Sequence, residues 1–384
     1  MNRLLYLIYR IIRYGYFSIF RAVFATYYLF VYFLSERPKA RRQTGLRETS
    51  GQAQQTGFWC IFAISQRRQV SKNLIAALNC FRDLGYDVIL INNGGLSPEL
   101  VTAYLPYCHS VVERPHGGRD FGGYQWGTEF LRRLGGDRQI VQVVYCNDSN
   151  FIRPSTFAQL LGRIKQMTDD YIGITEVFQF HYHVQSWFFV ISGRVFVSPM
   201  FQQFWQEYVP LSSRRHSINR GEAGIAKHLL QHNVYPCLLY THSTIVDLVC
   251  DGPLEEVLER ISSYFNPSEY KGLAATMQND MALQLAGQAN VLAMLKRGVM
   301  EKVTLSNTVH VTNLLLLKCS GFPFLKKDLV YRALYFFPQV ENSLSHWIGE
   351  DAEQLPEILG HFRARGSLRW QHSPAAILAR MGLI

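Results

Sequence analysis

The sequence predicts an α/β fold: a doubly wound, mostly parallel sheet followed by a mainly helical C-terminal region. Three observations predict it. From Phe58 to Cys146, short apolar runs alternate with segments of helical spacing, the signature of right-handed βαβ units. One strand-to-helix joint, Arg114-Pro115-His116-Gly117-Gly118-Arg119-Asp120-Phe121-Gly122-Gly123-Tyr124-Gln125-Trp126-Gly127, packs five glycines around a fixed cation and a carboxylate. The apolar run ending at Cys146 stops abruptly at Asn147-Asp148-Ser149. That puts a carboxylate at the carboxyl end of a buried strand, where open α/β sheets bind ligands.

Composition narrows the class. The chain of 384 residues is 48% hydrophobic and 18% charged, which suits a globular protein and excludes disorder. Its net charge of +10 is uneven: residues 1–50 hold nine Lys/Arg against two Glu. A nucleic-acid partner would call for a basic face on the folded domain, so none is expected. A basic, apolar N-terminus points instead to an anionic membrane surface. Seven cysteines without C-x-x-C spacing make neither a disulfide framework nor a zinc site, and a reducing cytosol is the expected compartment.

Residues 1–35 are apolar and tyrosine-rich. At about 100° per residue Arg3, Arg10 and Arg21 fall within about 20° of one another, a narrow cationic stripe. The uncharged run Ala22–Leu34 is thirteen residues, short of the roughly 20 that span a bilayer. An interfacial amphipathic helix is expected, lying on the membrane rather than crossing it. Residues 36–57 are polar and read as a flexible linker.

In residues 58–250, Phe58–Ile64 is the first strand and Val70–Leu84 a helix with Leu74, Ala77, Leu78 and Phe81 on one face. Asp87–Gly95 is a strand ending in a turn, and Ser97 caps a helix opened by Pro98. Ser110–Glu113 is the third strand, Gly122–Leu134 a helix and Ile140–Cys146 the fourth strand. Phe157–Met167 is a helix, Tyr171–Val177 and His183–Ile191 are strands, and Phe201–Tyr208 is an aromatic core helix. Residues 251–384 carry helical patterns over Pro253–Ser262, Leu273–Arg297, Thr312–Cys319, Lys326–Tyr335, Glu350–Arg363 and Ser373–Met381. No strand pattern of comparable strength is present there.

The glycine-rich stretch lacks the G-x-G-x-x-G fingerprint, and no Lys-Ser/Thr follows a Gly-x4-Gly, so it is neither a dinucleotide turn nor a P-loop. It either brings backbone close to a diphosphate, with Gly118 and Arg119 in contact, or merely lets helix and strand pack. Asp120 either hydrogen-bonds a sugar or ribose hydroxyl or caps the helix. Asn92 and Asn93 end a strand where a nucleotide would rest, although Asn93-Gly94 is also plain turn chemistry. His183, Gln185 and Trp187 at alternate strand positions would present one polar, aromatic face, with Ser186 between them. Glu222 is either the base for an acceptor hydroxyl or a carboxylate favoured by a helix dipole.

The stretch Arg114–Gly122 followed by Asn147-Asp148-Ser149 resembles the rhamnan synthesis F family of glycosyltransferase-like proteins. So do His183-Val184-Gln185-Ser186-Trp187-Phe188, Phe201-Gln202-Gln203-Phe204-Trp205 and Gly321-Phe322-Pro323-Phe324-Leu325-Lys326. The resemblance runs from about residue 58 to 335. It implies a GT-A-like fold and transfer of a sugar, often rhamnose, from a nucleotide sugar to a growing cell-surface polysaccharide such as an O-antigen. Where GT-A enzymes carry Asp-x-Asp this chain has Asn147-Asp148-Ser149, and Ser306-Asn307-Thr308-Val309-His310 lacks the proline of the family's corresponding segment. Asp148 is then the expected carboxylate for a divalent cation, Mg²⁺ or Mn²⁺, because Mg²⁺ typically takes only one or two protein carboxylates. Asn147 and Arg119 flank the leaving group, and Glu222 matches in placement the base of inverting GT-A enzymes. The expected partners are a nucleotide-sugar donor, a lipid-linked glycan acceptor and other assembly enzymes at the cytoplasmic face of the inner membrane. The alternative is a non-catalytic glycan-binding scaffold with a degenerate site.

Overall fold

The computed structural model describes residues 47–366 apart from 55, 67–68, 115–116, 135–139, 179–180, 267–287 and 333, together with a few positions between 22 and 34. Most of the interfacial helix expected over 1–35 lies outside the described residues, as does the helix expected over Ser373–Met381. Among the described residues no helix is long and apolar enough to cross a membrane.

The described residues form twelve short strands: β1 (Arg47–Ser50), β2 (Phe58–Ile64), β3 (Asp87–Asn93), β4 (Ser110–Arg114), β5 (Gln142–Asn147), β6 (Asn150–Ile152), β7 (Tyr171–Gly173), β8 (Glu176–Val177), β9 (His183–Val184), β10 (Phe188–Ser192), β11 (Cys237–Leu238) and β12 (Phe324–Lys326). Eight make one sheet in the order β1-β4-β3-β2-β5-β10-β7-β11. Its centre, β4-β3-β2-β5, is parallel, while β1, β10 and β7 join antiparallel. The chain winds outward from β2 to β4 and then returns to place β5 on the other side of β2. The strand order therefore reverses between β2 and β5, where Ala63 aligns with Asn147. Such a switch point opens a crevice beyond the carboxyl ends of the strands.

Helices cover both faces because both faces of the central strands are apolar. In β2, Cys60, Phe62 and Ile64 join one core with the helices Lys72–Asp83 and Pro154–Gln166. Trp59, Ile61 and Ala63 join the other, with the helices Arg119–Leu134, Pro199–Glu207 and Ala223–Gln231. The first core continues without a break into Val257, Val299, Val309 and Leu315, so the C-terminal region shares the core of the sheet domain.

Four local expectations differ from the structure. Arg47–Ser50, inside the stretch read as a linker, pairs antiparallel with β4. Edge pairing uses backbone groups, so a polar strand suffices and side-chain composition does not reveal it. The helix expected from Gly122 already starts at Arg119, so Gly122, Gly123 and Gly127 lie inside it. The strand expected over His183–Ile191 is broken into β9 and β10 by Gln185-Ser186-Trp187. The helix expected over Lys326–Tyr335 is instead the end of β12 followed by turns. Phe324 packs on Trp187 and Phe188, and β12 pairs with β6, far away in sequence, so a non-local partner overrides the local pattern.

Candidate functional site

The side chains singled out from the sequence meet, for the most part, at the switch-point crevice. Asp148 follows β5 directly; its backbone N–H donates to Ala63 O at 3.2 Å, and its carboxylate accepts from Ser65 N–H at 3.4 Å. Asn147 is bound on both ends of its amide. Its Nδ2 donates to Asp120 Oδ2 at 2.8 Å, and its Oδ1 accepts from Ser149 N–H at 3.0 Å. The glycine-rich stretch and the Asn-Asp-Ser turn are thus joined by one hydrogen bond between their central polar residues.

The two strand-end asparagines have supporting parts. Asn92 holds the β2 and β3 loops together, accepting from Gln66 N–H at 2.9 Å and donating to Gln66 O and Gly94 O, each at 3.0 Å. Asn93 donates to Arg119 O at 3.0 Å and accepts from Arg114 Nη1 at 2.7 Å. Both are buried, so neither lies open to a nucleotide. Arg119 has φ +50, a left-handed backbone that a non-glycine residue adopts only where its surroundings enforce it. Asn93 and the preceding Gly118, at φ +77, are those surroundings, and they leave the Arg119 side chain exposed at the crevice.

Most of the glycines serve close packing. A Cβ on Gly127 would meet Ile61 Cγ2 at 2.4 Å, and one on Gly123 would meet Ala63 Cβ at 2.9 Å. A Cβ on Gly122 would strike Arg114 Nη1 at 2.4 Å, and one on Gly118 would strike Pro210 Cβ at 2.4 Å. The helix therefore sits directly on β2 and β3, which brings Asp120 to the end of β5. Desolvation there, with Asp148 and Glu222 nearby, outweighs the pull of Arg119 and Lys326 and pushes the Asp120 carboxyl up to about 6.

For a divalent ion the donor set is thin. Among the described residues no three His, Cys, Asp or Glu side chains converge as metal ligands. The amide of Asn147 is already bound at both ends, which leaves Asp148 as the turn's one carboxylate. By themselves the described side chains do not hold a metal ion; the expected Asp148 is one carboxylate, which serves only an ion whose other ligands come from a bound diphosphate and water.

On the far side of the crevice His183 Nε2 lies 3.5 Å from Glu222 Oε2. His183 Nδ1 is 2.8 Å from His181 O, a group that only accepts, so Nδ1 carries a hydrogen. Glu222 ends a π-helical turn, Ser217–Glu222, a wide turn frequent at functional sites. A Cβ on Gly221 would hit Phe121 Cγ at 2.6 Å, so this turn presses on the helix that carries Asp120. The polar, aromatic face expected from Gln185, Ser186 and Trp187 is turned inward. Trp187 Nε1 donates to Gln185 Oε1 at 2.8 Å, Ser186 O accepts from Tyr124 OH at 3.0 Å, and all three residues are buried.

From the sequence, Lys326 stands out only in the pair Lys326-Lys327, which either approaches an anionic lipid-linked acceptor or is a plain exposed charge pair; it is not among the expected donor-site residues. Strand β12 carries it beside β6, where Lys326 aligns with Asn150 and its Nζ lies 3.4 Å from Ser149 Oγ. Burial lowers its ammonium to about 8, against the pull of Asp328, Glu222 and Asp120. Asp328, two residues on, is raised by burial but held well below the usual carboxylate range by His310, Lys326 and Arg214. Buried Arg114 was also missed in this part: it donates to Asn93 Oδ1 and, at 2.9 Å, to Gly117 O, bracing the turn before Arg119.

Residues 88–247 match the family model of rhamnan synthesis protein F. The chain is 24% identical over 183 residues to uncharacterized protein y4gN of Sinorhizobium fredii, covering 47% of each chain. It is 32% identical over 82 residues to virulence protein VirA of Vibrio anguillarum, 21% of this chain and 25% of that one. The chain thus spans less than half the length of the curated relatives it matches. A solved structure of a candidate nucleotide-diphospho-sugar transferase from Desulfovibrio desulfuricans G20 overlaps 64% of this chain and 99% of its own at 8% identity, with a TM-score of 0.27, too slight to bear on the fold. The matched segment begins in β3 and contains the glycine-rich helix, Asp148, His183 and Glu222; over these residues, under half of the chain, the protein is similar to the rhamnan synthesis protein F family.

Proposed function

We propose that the protein is a glycosyltransferase that moves a sugar from a nucleotide sugar to a growing surface polysaccharide. The observation that carries this is the switch-point crevice, where Arg119, Asp120 and Asp148 face the His183–Glu222 pair. The similarity of residues 88–247 to rhamnan synthesis protein F supports the same reading, and rhamnose as the sugar rests on that similarity alone.

The chemistry follows from the two sides of the crevice. The acceptor hydroxyl gives its proton to Glu222 as its oxygen bonds to the anomeric carbon. The bond from that carbon to the diphosphate oxygen breaks, its electron pair leaving with the nucleoside diphosphate. Arg119 lies at the mouth, where a planar donor fork suits the departing charge. Attack opposite the leaving group inverts the anomeric centre. Glu222 is the base in this scheme, and His183 orients it through the 3.5 Å contact.

The acceptor proposed is lipid-linked, at an anionic membrane surface. Val23, Tyr27, Phe30 and Leu34 are exposed and recur at four-three-four spacing, one apolar stripe of a helix. On a helix continued to residue 3 that stripe would lie opposite Arg3, Arg10 and Arg21, the arrangement of an interfacial anchor.

The test uses the purified full chain in detergent with a panel of nucleoside diphosphates and sugar nucleotides, read by thermal shift. Stabilisation by one base and its sugar conjugate is expected. Stabilisation by none of them would favour a glycan-binding scaffold.

A further inference from the structure

Lys326 is a buried charge that the transfer chemistry above leaves without a part. We propose that Lys326 is the protein's own counter-cation for the diphosphate, taking with Arg119 the place that a divalent ion holds at an Asp-x-Asp turn. The proposal rests on the nucleotide-sugar reading of the same crevice.

Four observations converge on it. Lys326 is only 8% exposed. Its ammonium lies 4.9 Å from the centre of the Trp187 ring, and its one hydrogen bond is the 3.4 Å contact with Ser149 Oγ. Among the described residues no carboxylate is within ion-pair distance of it, although Asp328, Glu222 and Asp120 all act on it from further off. Buried charges are ordinarily paired, so an unpaired ammonium beside the Asn-Asp-Ser turn is a site that an anion completes. A face of Trp under an ammonium offsets part of the cost and fixes the chain's direction.

Charge counting explains why this cation stands here. An Asp-x-Asp turn with a divalent ion carries two negative and two positive charges. Asn147-Asp148 with Lys326 carries one of each. The net charge offered to the diphosphate is the same, so replacing the first carboxylate by Asn147 removes the need for the ion that it would have helped to hold. Arg119 then supplies the surplus positive charge that the departing diphosphate requires, and no proton has to move. Arg214 acts on both Lys326 and Asp328, so the same end of the crevice is basic on more than one element.

Titration calorimetry on the full chain in detergent tests this, with UDP, dTDP and GDP, first in excess EDTA and then in Mg²⁺. Lys326→Met keeps the stem over Trp187 and removes the charge; Lys326→Arg keeps the charge. Melting curves check that each variant folds. Binding of one nucleoside diphosphate in EDTA is expected, weakened at least tenfold in Lys326→Met and largely restored in Lys326→Arg, with the matching nucleoside unaffected. Should Lys326→Met fail to fold, Lys326→Arg and the wild-type comparison of EDTA with Mg²⁺ still decide. Binding that needs Mg²⁺ in the wild type would overturn the proposal and leave the transferase standing. Absence of binding by every nucleotide under both conditions would remove the transferase reading, and this proposal with it. Geranyl diphosphate is run alongside: tighter, Lys326-dependent binding of it than of any nucleotide would assign the cation to a lipid acceptor and overturn the assignment to the donor.

Discussion

His183 Nε2 and Glu222 Oε2 approach to 3.5 Å, joining β9 to the π-helical turn before the helix Ala223–Gln231. His183 is anchored at its other nitrogen by His181 O, so the contact fixes the direction of the carboxylate as well as its distance. A carboxylate so held is oriented for proton transfer. Glu222→Gln keeps the shape and removes the proton acceptor, and turnover with the cognate sugar nucleotide is expected to fall by about 10²–10⁴. Nucleoside diphosphate binding should persist. Turnover within a few-fold of wild type would take the base role away from Glu222.

Asp120 gives a pH dependence whose sign is fixed. Its folded value, about 6, lies above the unfolded one, so the fold favours the protonated form. Its contribution is fully present below about 4 and is lost as pH rises through 6. Asp120→Asn removes this linkage and retains a polar partner for Asn147. The variant should therefore be more stable than wild type at pH 7.5, by on the order of 1–3 kcal/mol, with the difference nearly gone at about pH 3.5. Paired melting curves at the two pH values measure it; a constant difference would mean that Asp120 is not desolvated as described.

The packing part of the glycine helix is tested at Gly127. An added methyl would meet Ile61 at 2.4 Å and Ile91 at 2.7 Å, both on central strands that cannot yield easily. Gly127→Ala should cost about 1–3 kcal/mol in chemical denaturation, whereas helix propensity alone predicts a gain of about 1 kcal/mol. A methyl added at Gly162 would have nothing within 4 Å, and Gly162→Ala should be neutral or stabilising.

Membrane association is tested with vesicles. The full chain is expected to sediment with vesicles containing anionic lipid and less with neutral ones, the difference shrinking at high salt. Replacing Val23, Tyr27 and Phe30 by Asp should abolish it, since these exposed residues form the apolar stripe. Sedimentation unchanged by the three substitutions would place membrane contact elsewhere on the chain.

Much of this molecule is legible in its sequence, and the reason is locality. The central parallel strands, the helices between them and the position of Asp148 at a strand end follow from apolar runs and their periods, which neighbouring residues alone determine. Ser97, expected to cap the helix opened by Pro98, sits at the cap position but makes no capping hydrogen bond through its side chain, whereas Ser71, not singled out, caps the helix Lys72–Asp83.

What the tertiary structure alone decided is which long-range partner each polar residue found. Asn92 and Asn93 look from the sequence like open ligands and prove to be buried braces, because Gln66, Arg114 and Arg119 O reach them from other segments. Gln185 and Trp187 bond to each other and are buried, with Phe324 packed on the indole. Lys326 reaches Ser149 across 177 positions through the pairing of β12 with β6. Hydrophobic period reports which face of an element is buried, but it carries no information about which distant element will cover that face. The charge set of the crevice was therefore fixed only when the C-terminal region folded onto the sheet.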